Sequence, residues 1–340
     1  MSAKIGQLKP LKAANRSRTA PQAVDPDRNP GTALDLDWIE SLRVNRSAVE
    51  RRTSSLGGRR TVKKAWQAAW MLKAISCIDL TTLAGDDTPG RVRRLCAKAK
   101  QPVRQDILDQ LGAGDLDLTT GAVCVYHAMV PTAVAALEGT DIPVAAVSTG
   151  FPAGLSPMDT KLREIKASVR AGAEEIDIVI TRGNVLTGNW KALYKEVCAF
   201  REACGEAHMK TILGTGDLVT LRNVAKASAV CMMAGADFIK TSTGKESVNA
   251  TLPVSLVMIR MIRDYYERTG VKIGYKPAGG VSTAKDAMAY LALMKEELGR
   301  DWLEPELFRF GASSLLGDIE RQLDHNASGR YAATYRQPMA

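Results

Sequence analysis

Three charged side chains stand where apolar segments do not ordinarily carry them. Lys240 ends the apolar run that opens DFIKTSTGK (residues 237–245) and leads into a polar loop. Lys276 ends a second run within GYKPAGGV (274–281), and Asp177 lies inside the apolar EEIDIVI (174–180). An ammonium prefers water, and moving it into an apolar setting is costly. Burial lowers its pKa and makes it a nucleophilic amine. The structural alternative for a strand-end lysine is a snorkelling side chain that only solvates the strand. For Asp177 the alternative is a buried carboxylate satisfied by a lysine, yet two lysines and a carboxylate also form a proton-transfer set.

These residues sit in a repeating frame. Eight short apolar or β-branched runs, at 75–80, 122–126, 143–148, 175–180, 209–213, 237–240, 271–276 and 307–311, alternate with amphipathic stretches. Several of those stretches, such as 161–171, 190–203 and 252–268, have the length and pattern of helices. Strand–helix alternation implies an α/β fold with a parallel sheet, and eight repeats over about 250 residues predict a (β/α)8 TIM barrel. An open doubly wound sheet would carry a glycine-rich dinucleotide loop after its first strand, and DLTTL (79–83) is not one.

A barrel places its functional residues at the C-terminal ends of its strands. Asp79, Asp177, Lys240 and Lys276 all fall at or near such ends. Neighbouring strands lie about 4.8 Å apart, so the two lysines can be close, and like charges that near lower one pKa. PAGG (277–280) and GASS (311–314) each precede a predicted helix. Exposed N–H groups at such starts bind anions, and barrels often hold a phosphate after strands seven and eight. Ordinary turn chemistry favours Gly and Ser there too.

The remaining chain narrows the class. Residues 1–70 carry 14 Lys and Arg against 6 Asp and Glu, whereas the other 270 carry 32 against 31. The basic character therefore belongs to the N-terminal part. Residues 1–33 read as a disordered basic tail, since Asp25 and Asp27 interrupt the run and no aromatic residue interleaves it, which argues against nucleic acid. Residues 34–73 read as a helical extension, with Val62, Ala65, Trp66, Ala69 and Trp70 forming an apolar face that packs against one end of the body. The barrel is placed at 74–328 and a C-terminal tail at 329–340. No apolar run has the length of a membrane span. Six scattered cysteines without a CxxC pair suggest buried thiols in a reducing, cytoplasmic setting, and the three histidines are too dispersed to suggest a metal site.

Taken in order, DLTTLAGDDT (79–88), EIDIVI (175–180), DFIKTSTGK (237–245), GYKPAGGV (274–281) and FGASSLL (310–316) resemble the deoxyribose-phosphate aldolases, a class I aldolase family. The resemblance spans roughly residues 70–320. TRGNVLTGNWKALYKEV (181–197), REACGEAH (201–208) and GRYAA (329–333) resemble the longer form with an N-terminal extension. It implies cleavage of 2-deoxyribose 5-phosphate to glyceraldehyde 3-phosphate and acetaldehyde in deoxyribonucleotide catabolism. The Schiff-base lysine falls on Lys240, the second lysine on Lys276 and the proton-relay aspartate on Asp177. Phosphate contacts fall on Gly279, Gly280, Ser313 and Ser314, with Thr243, Gly244 and Lys245 nearby. Asp79 is grouped with these substrate-side residues, with orienting Lys276 or capping the Thr-rich loop as its structural alternative. The resemblance implies no metal or organic cofactor, a sugar phosphate as partner, and leaves a homo-oligomer open. The chain departs from the family at Ser282, where relatives often carry a basic residue. It also lacks the C-terminal tyrosine of short members, for which Tyr331 and Tyr335 are the nearest substitutes. Another Schiff-base barrel, such as a transaldolase-type enzyme, would share the lysine but not the five motifs. A scaffold protein without catalysis would be expected to lack one of the three charged residues.

Overall fold

The computed structural model describes residues 28–58, 62, 63 and 65–337. Eight parallel strands follow one another: β1 (Ile78–Thr81), β2 (Ala122–Tyr126), β3 (Val144–Ser148), β4 (Glu175–Val179), β5 (His208–Ile212), β6 (Phe238–Lys240), β7 (Gly274–Lys276) and β8 (Phe310–Ala312). Each pairs with its sequence neighbour, and β8 returns to pair with β1. The last seam is closed by bridges at Tyr275–Phe308 and Ala278–Gly311, with Tyr275 N donating to Leu307 O at 2.9 Å and Gly311 N to Pro277 O at 2.9 Å. The fold is the expected TIM barrel. The expected eighth strand is split by this closure, because residues 307–309 meet β7 in isolated bridges and only Phe310–Ala312 pairs with β1 in regular register.

Period-two alternation sorts the strand side chains. Ile176, Ile178 and Ile239 join the large apolar core, while Cys124, Ala145 and Val147 form a separate small cluster inside the barrel. On β4 this places Glu175 and Asp177 inward, opposite in direction to the isoleucines. Helices Met158–Arg170, Trp190–Cys204 and Leu252–Thr269 cover the outside close to their expected bounds. Threonine side chains cap several starts, as Thr251 does by accepting from Val254 N. No helix among the described residues is long and apolar enough to cross a membrane. All six cysteines are free thiols, five of them buried and Cys198 half-buried.

The N-terminal part differs from its sequence reading in two respects. Helix Ala65–Ser76 buries Ala68, Met71, Ala74 and Ile75, while Trp66 is 64% exposed. The apolar stripe is thus rotated towards the helix's second half, and the helix also takes in Ile75 and Ser76, which were expected to start the first strand. The described end of the expected tail is ordered instead. Residues 1–27 lie outside the described part, but 28–33 are ordered and Asn29 is buried. The Asn29 amide nitrogen donates to Met232 O at 2.7 Å and Ala236 O at 2.9 Å, and its oxygen accepts from Tyr265 Oη at 3.0 Å. Its backbone N–H donates to Asp237, which also takes the Arg201 guanidinium at 2.6 Å. Asn29→Ala would strip buried partners of their bonds, so it is expected to lower stability by roughly 2–4 kcal/mol, read as a fall in the urea midpoint. An unchanged midpoint would show that the arm is held otherwise.

Candidate active site

β6 has only three residues, yet its end is fixed from both sides. Lys240 O accepts from Leu213 N at 3.0 Å, and Thr241 N donates to Lys276 O at 3.1 Å. In register, Lys240 stands between Ile212 and Lys276. Small residues open the space these long side chains need. A Cβ on Gly274 would lie 2.3 Å from the Phe238 ring, and one on Gly311 would lie 3.2 Å from Lys276 Cε. Gly274 therefore lets Phe238 fill the barrel beneath the lysines, and Gly311 lets Lys276 lie across the interior.

The structure brings Lys240, Lys276 and Asp177 together. Lys240 Nζ donates to Asp177 Oδ2 at 2.6 Å, and Lys276 Nζ donates to the same oxygen at 2.8 Å. All three are buried, Lys240 being 3% exposed and the other two fully enclosed. Asp177 Oδ1 is buried and accepts no hydrogen bond from the described residues. Beneath them lies a second charged group, of which sequence reasoning singled out only Asp79 and missed Glu175, Lys210 and Arg309. Lys210 donates to Glu175 and, at 3.1 Å, to Asp79 Oδ2, while Arg309 donates to Asp79 Oδ1 at 2.6 Å and Glu175 Oε1 at 3.0 Å. Lys276 also donates to Asp79. The signal was present as charged residues at inward positions of strands: Glu175 two before Asp177, and Lys210 directly opposite Asp177.

Burial and charge set the ionisation of these groups. Burial lowers the Lys240 ammonium below the ordinary lysine range; the Asp177 charge opposes this and Lys276 reinforces it. Burial also acts against charge on Lys276, but Asp177 and Asp79 outweigh it and hold that lysine above its ordinary range. For Asp177, burial would raise the carboxyl, and the field of Lys240, Lys276 and Lys210 overcomes this and holds it low. Asp79 is held well below the usual range in the same way, with burial outweighed by Lys210, Lys276 and Arg309. Cys124 shares the interior, and burial pushes its thiol up to about 11. The site thus pairs an amine shifted towards its neutral form with a lysine and a carboxylate both shifted towards their charged forms.

Asp79 is placed apart from the other residues grouped with it in sequence. It is fully buried and bound by Lys210, Lys276 and Arg309. The remaining loop residues lie on three adjacent loops. Ala250 N of the β6 loop donates to Gly279 O of the β7 loop, and the Ala278–Gly311 bridge joins the β7 and β8 ends. Gly279 and Gly280 have φ of +73° and +80°, a region that favours glycine, and a Cβ on Gly279 would lie 2.6 Å from Asn249 Cγ. Ser313 and Ser314 are exposed at the start of helix Ser314–Ser328. Gly244, Lys245 and Ser282 are exposed as well. Thr243 is buried, and the Thr243 and Gly244 N–H groups donate to Glu246 at 3.0 and 3.1 Å. Tyr331 stacks on His325 with ring centroids 4.1 Å apart, and Tyr335 is 85% exposed, so neither enters the buried charge cluster.

A parallel eight-stranded barrel with a desolvated, carboxylate-bound lysine at a strand's C-terminal end has the equipment of enzymes that attack carbonyl carbon with an amine. Residues 73–318 match the family described as DeoC/LacD family aldolase, and the chain belongs to that family. It is 60% identical over 314 residues to the deoxyribose-phosphate aldolase of Homo sapiens, covering 92% of this chain and 99% of the human one. It is 61% identical over 312 residues to the Mus musculus protein of that name, covering 91% and 98%. Among solved structures, a putative deoxyribose-phosphate aldolase from Toxoplasma gondii superposes with a TM-score of 0.66 at 20% identity, covering 79% of this chain and 98% of that one. At that identity the likeness bears on the fold alone.

Proposed function

We propose that the chain is a class I aldolase that reversibly cleaves 2-deoxy-D-ribose 5-phosphate to D-glyceraldehyde 3-phosphate and acetaldehyde through an imine on Lys240. The carrying observation is the placement of Lys240 on Asp177 beside Lys276 in a desolvated barrel mouth. The mammalian relatives at 60–61% identity bear the name of that activity.

The chemistry follows from the geometry. Neutral Lys240 Nζ attacks the aldehyde carbon of the open-chain sugar, and the adduct loses water to give a protonated imine. A base takes the proton of the hydroxyl on the β carbon, and the electrons of the α–β bond move into the imine. Glyceraldehyde 3-phosphate leaves, the resulting enamine is protonated on carbon, and water releases acetaldehyde and the free amine. Asp177 is the group for the proton transfers: Oδ1 accepts from none of the described residues, and Lys276 on Oδ2 keeps positive charge beside the carboxylate as protons move. The loops of Gly279, Gly280, Ser313 and Ser314, with Thr243, Gly244 and Lys245 alongside, would hold the phosphate on backbone N–H groups and a lysine. That grip is remote from the bond that breaks and orients the reacting carbons.

Borohydride reduction with 2-deoxyribose 5-phosphate, followed by peptide mapping, tests the proposal. The substrate-derived mass is expected on Lys240, and a label on Lys276, Lys245 or Lys210 would overturn the assignment. Because the protonated imine is the electron sink, EDTA is expected to leave turnover unchanged; loss of activity restored by a divalent ion would point to a metal-dependent aldolase instead.

A further inference from the structure

The buried cluster has an odd charge count. Four bases, Lys210, Lys240, Lys276 and Arg309, share three carboxylates, Asp79, Glu175 and Asp177. Every one of these seven residues is at most 6% exposed. With all groups ionised, the barrel interior would hold one uncompensated positive charge, the arrangement a low-dielectric interior tolerates least. One base must then be the cheapest to leave neutral, and the contacts identify it. Lys210, Lys276 and Arg309 each donate to two carboxylates, whereas Lys240 donates to one.

We propose that Arg309, acting with Glu175 through Asp79 and Lys210, is a positioning residue for the reactive amine: it fixes the charge count of the buried cluster so that Lys240 is the base left with a single, shared carboxylate. Arg309 is suited to this because a guanidinium stays charged, so it occupies Asp79 Oδ1 and Glu175 Oε1 at every working pH. Its Nε is further fixed on Pro305 O. Asp79 and Glu175 thereby serve Arg309 and Lys210, and Lys276, which shares Asp79 with them, also draws on Asp177, the only carboxylate among the described residues to which Lys240 donates. The titratable groups at inward positions are Cys77 and Asp79 from β1 and its approach, Cys124 and Tyr126 from β2, Glu175 and Asp177 from β4, His208 and Lys210 from β5, Lys240 from β6 and Lys276 from β7. β3 carries no titratable side chain. Neither thiol alters the count, since burial pushes Cys77 and Cys124 each up to about 11.

This inference rests on the reading of Lys240 as the imine-forming amine, and its test separates the two. The measurement is acetic anhydride labelling of Lys240 against pH, quantified by peptide mass, beside the pH dependence of kcat/KM. Arg309→Met removes a positive charge, so Lys240 keeps its proton more easily and both the labelling midpoint and the acid limb are expected to move to higher pH. Glu175→Gln removes a negative charge and is expected to move both to lower pH. The double variant restores the count and is expected to return near the wild-type position. Assayed at a pH below the limb, efficiency changes about tenfold for each unit of displacement. Arg309→Lys, which keeps the charge, is expected to hold the limb in place even where turnover falls. A merely structural role would lower kcat without opposite displacements in the two single variants. Shifts in the same direction, or none, would overturn the inference, and if Arg309→Met does not fold, Glu175→Gln and the double variant still decide it. Lys240 that labels normally but takes no substrate imine would instead overturn the functional reading.

Discussion

Replacing Lys240 by alanine is expected to remove cleavage activity by a factor on the order of 10⁴ to 10⁶ while leaving the protein folded. The size follows from the loss of the covalent route: without the amine there is no imine, and without the imine no electron sink for the carbon–carbon bond. The fold should persist because Asp177 keeps Lys276 at 2.8 Å and so remains a paired buried carboxylate. Borohydride should then incorporate no substrate into the variant. Thermal unfolding and kcat on 2-deoxyribose 5-phosphate make the check, and the outcome that sinks the assignment is a folded variant retaining more than about a hundredth of wild-type turnover. Loss of activity together with loss of the folded state would not count in its favour, so Lys240→Met, which keeps the bulk of the stem, is the companion variant.

The residues that chain logic could find are those whose oddness is local. Lys240 and Lys276 stand out because each ends a short apolar run, and Asp177 because isoleucines flank it on both sides. Their meeting at one carboxylate oxygen follows once eight strands are placed in order, since β6 and β7 must be neighbours. Arg309 and Lys210 were invisible for the opposite reason. Each lies in a segment also read as a strand, but its meaning depends on Asp79 and Glu175, more than a hundred residues away from Arg309 and arriving from β1 and β4. Asn29 escaped in the same manner: its neighbours in sequence are tail-like, and its partners Met232, Ala236 and Tyr265 are some two hundred residues distant. Periodicity alone also misplaced the buried stripe of helix Ala65–Ser76, because a tryptophan counts as apolar whether or not a partner covers it, and Trp66 has little cover.

Lys276→Met is expected to move the acid limb of catalytic efficiency to higher pH, with activity partly recovered in alkaline buffer. Lys276 acts on Lys240 in two ways, and both have the same sign. Its own charge disfavours a proton on the neighbouring amine, and its hydrogen bond draws on the Asp177 oxygen that would otherwise stabilise the Lys240 ammonium alone. Removing Lys276 ends the repulsion and frees the carboxylate, so the protonated, unreactive form of Lys240 persists to higher pH. Each unit of displacement is worth about 1.4 kcal/mol, a tenfold loss at a fixed pH below the limb. Burial remains the largest cause of the lowered Lys240 ammonium, and it survives the substitution, so the variant should not acquire an ordinary lysine. Asp79 keeps Lys210 at 3.1 Å and Arg309 at 2.6 Å, which protects the interior from an unpaired carboxylate. If Lys276 serves instead mainly as a proton shuttle, kcat should fall at every pH and the limb should stay where it is. The pH dependence of kcat/KM in wild type and variant separates the two, because it reports ionisations of the free enzyme. An unmoved limb would leave Lys276 the shuttle and take away its electrostatic role.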